Sequence, residues 1–365
     1  KHSRDFNLTR ESVLGSRLAA ETPAYDVQQA CGTGLETAIL VGNKIALGQI
    51  EAGIAGGVDT TSDAPIAVNE DLRHVLLELN RAKSAAARVK LLGSLRPGQI
   101  VPVIPRNSEP RTGLSMGEHQ ALTTAHWKIS REAQDELAVA SHRHMAAAYE
   151  RGFQDDLVTP YLGVTRDQNL RPDSNIEKLA TLKPVFGKGE GATMTAANST
   201  PLTDGAAVVL LASEAWAEQR GLPVLAYLTH NETSAVDYVH GDEGLLMAPA
   251  YAVPRVLERA GLTLQDFDFY EIHEAFASQV LTTLAAWQDS EFCRAQLGLD
   301  HTLGAIDRSK LNVAGSSLAA GHPFAATGGR ILANAAKLVH ENGGGRALIS
   351  ICAAGGQGVV AIVEK

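Results

Sequence analysis

Short apolar runs alternate along the chain with longer stretches of helical spacing, the pattern of strands and helices in an α/β fold. Tyr25–Ala30 reads as a brief extended run. Cys31-Gly-Thr-Gly follows it and opens a small-residue helix to about Leu47. A second run covers Ala52–Ala55, and Gly56-Gly57-Val58 is expected to begin a loop. Ser130 is a good N-cap for an amphipathic helix that Gly152 would end. Ala206–Leu211 is an unbroken apolar run of the kind buried on both faces. In the last third the Gly-rich stretch Gly315–Gly329 leads into a helix with Ile331, Leu332, Ala335, Ala336 and Val339 at helical spacing. Gly343–Gly345 then turns the chain into a strand, Arg346–Ile351, ending at Cys352. Strand, cysteine at a glycine-rich bend and small-residue helix thus occur near both ends, which hints at a duplicated unit.

Length and composition narrow the class. At 365 residues and 45% hydrophobic content the chain can build two or three cores. Its 32 Lys and Arg against 41 Asp and Glu leave a net charge of −9, the wrong sign for a nucleic-acid binder. No apolar run approaches the ~18–20 residues that span a bilayer. Three unpaired cysteines exclude a disulfide scaffold or a Cys-rich zinc module and suit a reducing compartment. Within this acidic chain, Asn80–Asn107 holds Arg81, Lys83, Arg88, Lys90, Arg96 and Arg106 and no acid. That island reads either as a solvated helix face or as an anion-binding patch.

The candidate chemistry lies in cysteines and histidines at bends. Cys31 precedes a helix, where the dipole would lower its pKa; the bland alternative is a small buried core thiol. Cys352 enters a run of glycines that lets backbone N–H groups approach a ligand. His322 lies in Gly321-His-Pro323, and His273 in Glu271-Ile-His-Glu-Ala-Phe276. The latter starts like a zinc-protease helix, but Ala277 stands where its second His would be, and no metal is assigned. His142 and His144 have no further ligand candidates beside them. A histidine base beside a cysteine, with a second thiol for proton transfer, suits covalent acyl transfer. No P-loop or G-x-S-x-G elbow occurs, and Gly187-Lys-Gly-Glu-Gly191 is no dinucleotide fingerprint.

Taken together, the ordered strings Cys31-Gly-Thr-Gly, Gly56-Gly-Val-Asp59, Ser115-Met-Gly117, Ile129-Ser-Arg-Glu132, Thr195-Ala-Ala-Asn-Ser199, Asp204-Gly-Ala-Ala207, His273-Glu-Ala-Phe276, Gly321-His-Pro323 and Cys352-Ala-Ala-Gly-Gly356 closely resemble the thiolase family over essentially the whole chain. Many thiolases carry Asn where His273 stands. That histidine, with Gly321–Gly328, Cys352–Gly358 and Asn80-Arg-Ala-Lys-Ser84, resembles the thiolase subunit of the fatty-acid β-oxidation trifunctional enzyme and its bacterial relatives.

The resemblance implies an α/β thiolase fold: two similar βαβαβαββ-type halves packed together, with an inserted loop domain that holds CoA. Residues 1–62 and 192–221 would form the N-terminal half, 63–191 the loop domain and 222–365 the C-terminal half. Several tens of residues expected before Cys31 are not in the chain, which opens on Lys1 without a Met. The implied activity is 3-ketoacyl-CoA thiolysis through an acyl-cysteine; the alternatives are a biosynthetic acetoacetyl-CoA thiolase and a silent lipid-binding relative. Cys31 would be the nucleophile, His322 its base, and Cys352 the second acid–base thiol. His273 with His322 would hold one thioester oxygen, and the N–H groups of Cys31 and Ala354 the other. Met116, Arg171, Thr200 and Gly355 would line the substrate and CoA. No permanent cofactor is implied, only CoA as co-substrate. The implied partners are a second copy, as a homodimer or dimer of dimers, and a hydratase/dehydrogenase subunit. The basic island could serve the ADP moiety of CoA or meet a membrane or partner surface. The cytoplasm of a bacterium, or the mitochondrial matrix of a eukaryote, is the implied location.

Overall fold

The computed structural model describes residues 7–189 and 191–365; residues 1–6, with the opening Lys-His-Ser-Arg, and Glu190 lie outside them. Helix α1 (Leu8–Leu14) is followed by an irregular stretch, so the extended run expected at Tyr25–Ala30 forms no strand. A single 3-10 turn at Ala30–Gly32 feeds α2 (Thr33–Ala46), and the chain returns as β1 (Ala52–Asp59). Gly56–Val58 therefore continue the strand. Their register opposite Ala206–Val208 explains this, since a Cβ on Gly56 would lie 2.1 Å from the Ala207 carbonyl oxygen.

Between β1 and its partner the chain carries α3 (Glu70–Arg81), α4 (Ala85–Gly93), α5 (Met116–His126), α6 (Arg131–Glu150), α7 (Ile176–Ala180) and the small hairpin of β2 (Pro184–Phe186) and β3 (Met194–Thr195). Neither α3 nor α4, which hold much of the basic island, buries a side chain. By contrast α6, capped by the Ser130 side chain, sends Leu137, Ala138 and Val139 into the core of the C-terminal half. Next come β4 (Gly205–Ala212), antiparallel to β1, and α8 (Glu214–Gln219).

The C-terminal half contains β5 (Tyr227–Ala235), α9 (Ala248–Ala260), β6 (Phe269–Ile272), α10 (Ala277–Gln288), α11 (Ser290–Ala295), α12 (Ser317–Ala320), α13 (Thr327–Glu341), β7 (Arg346–Ala353) and β8 (Gln357–Glu364). Its sheet runs β5-β8-β7-β6, with β6 parallel to β7 and the other pairs antiparallel. One face packs on α6, α9 and α10 through Leu348, Val360 and Ile362. The other packs on α2 and α13 through Ile349, Ile351, Val359 and Val363, a core that Ala55, Val209 and Leu211 of the β1–β4 pair close from beyond. Helices α2 and α13 thus lie between two sheets.

The order α2-β1-β4 parallels α13-β7-β8. In the second case a turn at Ala354–Gly356 joins the strands; in the first, the segment from 60 to 204 does. The halves also differ. Among the described residues β1 and β4 pair only with each other. Ala206–Leu211 is consequently not buried on both faces: Val208 and Leu210 are 70% and 56% exposed.

Candidate active site

The small residues between α2 and α13 bring two helix starts together. Gly34 lies so close to the Ala325 carbonyl that a Cβ there would sit 2.5 Å from it, and one on Gly328 would sit 2.2 Å from the Leu35 nitrogen. Cys31 leads α2 from a turn in which Ala30 adopts φ +46°, a conformation that non-glycine residues occupy only where the surroundings impose it. Thr33 braces that turn, its Oγ1 accepting from the Gln29 N–H and donating to the Ala30 carbonyl. Just ahead of α13, the His322 N–H donates to the Pro201 carbonyl. Its Nε2 reaches the Cys31 Sγ at 3.0 Å and its Nδ1 the Thr327 Oγ1 at 2.6 Å. His273 extends the β6–β7 ladder by donating its N–H to the Ser350 carbonyl, and its ring lies 4.3 Å from that of His322. Cys352, near the end of β7, packs with Met194, Leu245, Leu246, Ala275 and Phe276. The side chains of Cys31, His273, His322 and Cys352 are all buried.

Burial dominates the electrostatics. The Cys31 thiol is pushed up to about 12 by desolvation, although the N–H groups of Ala354 and Cys31 itself pull it down. This overturns the expectation of a lowered pKa: loss of water around the thiol outweighs a helix start. Desolvation likewise pushes Cys352 up, with the neighbouring Cys31 adding to the effect. It takes His322 down to about 3 and His273 well below its ordinary value, and the Arg330 charge lowers both further. The pair therefore rests as neutral thiol and neutral imidazole. With Nδ1 hydrogen-bonded to Thr327, the Nε2 of His322 is placed to receive the thiol proton. Donor atoms of Cys31, His273 and His322 lie within 4.8 Å of one another, a closeness that would also suit a soft cation.

Residues 1–215 match the family model for the thiolase N-terminal domain and residues 222–365 that for the thiolase C-terminal domain. The chain belongs to the thiolase family. Over 364 residues it is 43% identical to a protein of Pectobacterium carotovorum named 3-ketoacyl-CoA thiolase, covering 98% of this chain and 82% of that one. A protein of the same name from Yersinia enterocolitica is 41% identical over 364 residues, covering 98% of this chain and 83% of that one. Human mitochondrial 3-ketoacyl-CoA thiolase, solved also with CoA, superposes with a TM-score of 0.77 at 28% identity over 98% of this chain and 82% of that one. The acetyl-CoA acetyltransferase of Bacillus anthracis gives 0.78 at 28% identity, covering all of this chain and 84% of the other.

The residues expected around this thiolase centre are placed unevenly. Met116, capped into α5 by Ser115, packs on the apolar cluster that contains Cys352. Thr200 ties two loops, its N–H donating to the Ala275 carbonyl and its Oγ1 to the Ser317 carbonyl. The Gly355 N–H donates to the Glu109 carboxylate at 2.7 Å, so it serves to hold the turn beside Ala354. Arg171 is exposed and folds onto its own loop, its Nη1 donating to the Gln168 and Leu170 carbonyls. The Arg171 N–H meets His142 and the Asn312 carbonyl meets His144, so neither histidine of α6 joins the centre.

Sequence reasoning missed the support behind the histidines. Asn312, in a left-handed conformation, exchanges hydrogen bonds with both main-chain groups of Ile272 and donates to Glu274. Glu274 also accepts from Ser141 and the Leu318 N–H. Ser317 and Arg330 stand directly behind His273.

Proposed function

We propose that the protein is a 3-ketoacyl-CoA thiolase of fatty-acid β-oxidation, cleaving 3-ketoacyl-CoA with CoA to acetyl-CoA and a shortened acyl-CoA. The observation that carries the reading is the 3.0 Å contact of Cys31 Sγ with His322 Nε2, beside a second buried thiol and a second histidine. Cys31 adds to the 3-keto carbon while His322 takes its proton. Collapse of the oxyanion breaks the bond between C2 and C3. The departing acetyl-CoA enolate takes a proton from Cys352 and leaves an acyl-thioester on Cys31. In the second half, CoA gives its thiol proton to the Cys352 thiolate and attacks the acyl group. The released Cys31 thiolate recovers the proton held by His322, so both thiols and both histidines return to their starting state.

Each oxyanion needs donors. The N–H groups of Ala354 and Cys31 already approach Sγ, which supports one hole; His273 beside His322 would form the other. Losing one such donor typically costs ~10²–10³ in rate. Met116, Thr200 and Gly355 would border the pantetheine and thioester end, with Arg171 toward the ADP end. CoA is a co-substrate, with no other cofactor invoked. Degradation of longer substrates is favoured over the biosynthetic acetoacetyl-CoA reaction because the relatives above 40% identity bear the 3-ketoacyl-CoA name. Their bacterial sources favour the cytoplasm. A dimeric assembly and a hydratase/dehydrogenase partner belong to the same reading. The cations of α3, α4 and the following loop, among exposed Val89, Leu92 and Ile104, suit the ADP moiety, an anionic membrane or a partner surface.

Mass spectrometry after mixing with a 3-ketoacyl-CoA tests the mechanism. Cys31→Ala should form no acyl-enzyme, whereas Cys352→Ala, without the thiol that protonates the enolate, should form it only slowly and pass the acyl group on to CoA poorly. Acylation of Cys31→Ala at another residue would overturn the assignment. A kcat/KM for C16 above that for C4 substrate is expected. Absence of any CoA-dependent cleavage by the natural-length protein would favour the silent lipid-binding alternative.

A further inference from the structure

Behind the two histidines, Ser317 sits at the start of α12 and is held from three sides. Its carbonyl accepts from Thr200 Oγ1 at 2.6 Å, and its Oγ lies 2.7 Å from His273 Nδ1 and 2.9 Å from Arg330 Nη2. Arg330, on the first turn of α13, reaches inward; its Nε and Nη1 are buried without a partner among the described residues, as is His273 Nε2. A guanidinium can only donate, so Ser317 Oγ accepts from Arg330 and its own hydroxyl proton is free for the next group. The acceptor within reach is His273 Nδ1. Receiving that proton's hydrogen bond leaves the ring hydrogen on Nε2, which is buried and has no hydrogen-bond partner among the described residues, in a ring that lies against His322.

We infer that Arg330 and Ser317 form a tautomer relay that sets His273 as an Nε2–H donor, opposite to His322, whose Nε2 must accept from Cys31. Two imidazoles whose centroids are 4.3 Å apart are thereby given different tasks. One takes a proton, and the other presents one to a developing oxyanion without surrendering it. The nearby positive charge of Arg330 also disfavours an imidazolium at His273, which suits a ring that presents its proton and stays neutral. Ser317 and Arg330 touch no substrate atom in this scheme. They are positioning residues, and the inference rests on the thiolase reading only for what the presented hydrogen is used for.

The test reads the tautomer directly. In ¹⁵N-histidine-labelled protein, with the His273 signals assigned by their loss in His273→Asn, wild type should carry its ring proton on Nε2. Ser317→Ala and Arg330→Met should move His273 toward a mixture of tautomers, and Arg330→Lys, which keeps a donor and a charge, should restore the Nε2–H form at least in part. In steady-state thiolysis, Ser317→Ala should lose ~10²-fold in kcat with KM changed only a few-fold. Alkylation of Cys31 by iodoacetamide should keep its wild-type rate and so report an intact fold. A wild-type His273 protonated on Nδ1, or a Ser317→Ala protein with unaltered tautomer and kcat, would overturn the relay. Absence of thiolysis in wild type would instead overturn the activity reading and leave the tautomer result to decide the relay.

Discussion

Glu271 shows how far burial governs single residues here. It faces α13 from β6, is completely buried, and neither carboxylate oxygen has a partner among the described residues. Desolvation pushes its pKa up to about 8, against the pull of Arg330 and with the push of Glu274. Its folded pKa is thus raised above its ordinary value near 4.5. The stability that goes with the protonated form is fully present below the unfolded pKa and is lost as pH rises from ~4.5 toward 8, by at most about 1.4 kcal/mol per pH unit. Glu271→Gln removes the titration but keeps the shape. Thermal unfolding at pH 5 and pH 8 should show wild type losing Tm across that interval and the variant losing clearly less. An equal loss in both would show that Glu271 is ionised in the folded protein. The residues proposed to react, Cys31, His273, His322 and Cys352, could be singled out in the sequence because each stands in a short string of special composition. Glu271, Ser317 and Arg330 were not, since an acid, a serine or an arginine in sequence says nothing of whether it ends buried behind a histidine.

At the scale of elements, the contact between α2 and α13 sets the Cys31–His322 distance, because Cys31 lies in the turn that leads into α2 and His322 in the segment that leads into α13. Gly34 and Gly328 are needed there for closeness rather than for backbone freedom: the atoms a Cβ would meet are main-chain atoms, which cannot swing aside. Gly34→Ala or Gly328→Ala should separate the helices by the fraction of an ångström the methyl requires and draw Cys31 away from His322. A misplacement approaching 1 Å costs on the order of 10² in rate, so kcat/KM should drop by about that factor while the helices persist. Far-UV circular dichroism and stopped-flow acylation check both halves of this expectation; unchanged acylation would mean that the helix spacing does not set the geometry. Helix α6, its Ser130 cap and strand β7 were readable from period and punctuation. Gly56–Val58 and Tyr25–Ala30 were misread for one physical reason. A strand is stabilised by a partner distant in the chain, and β1 has β4 opposite its glycines whereas the earlier run has no partner strand among the described residues.

For the whole molecule, the two sheets differ in how their outer faces are covered, and this has a consequence for the 365-residue chain in solution. The C-terminal sheet is sealed on both faces by helices, with β7 and β8 almost entirely buried. The β1–β4 pair seals one face with α2 and α13 and leaves the other open. In register across it, Ile54 lies beside Leu210 and Val58 beside Ala206, and Ile54, Val58, Val208 and Leu210 are between 42% and 70% exposed. Among the described residues these two strands pair only with each other, so main-chain groups stand on both outer edges. Contiguous apolar side chains flanked by unpaired strand edges are a surface that recruits further chains. The 365-residue chain should therefore scatter light above the level of a small oligomer, increasingly with concentration. Placing a charge on that face by Val208→Lys with Leu210→Lys should suppress the association. Neither side chain packs in the core between the sheets, so acylation of Cys31 should survive the change. Persistent association of the double variant would show that the face is not the adhesive surface.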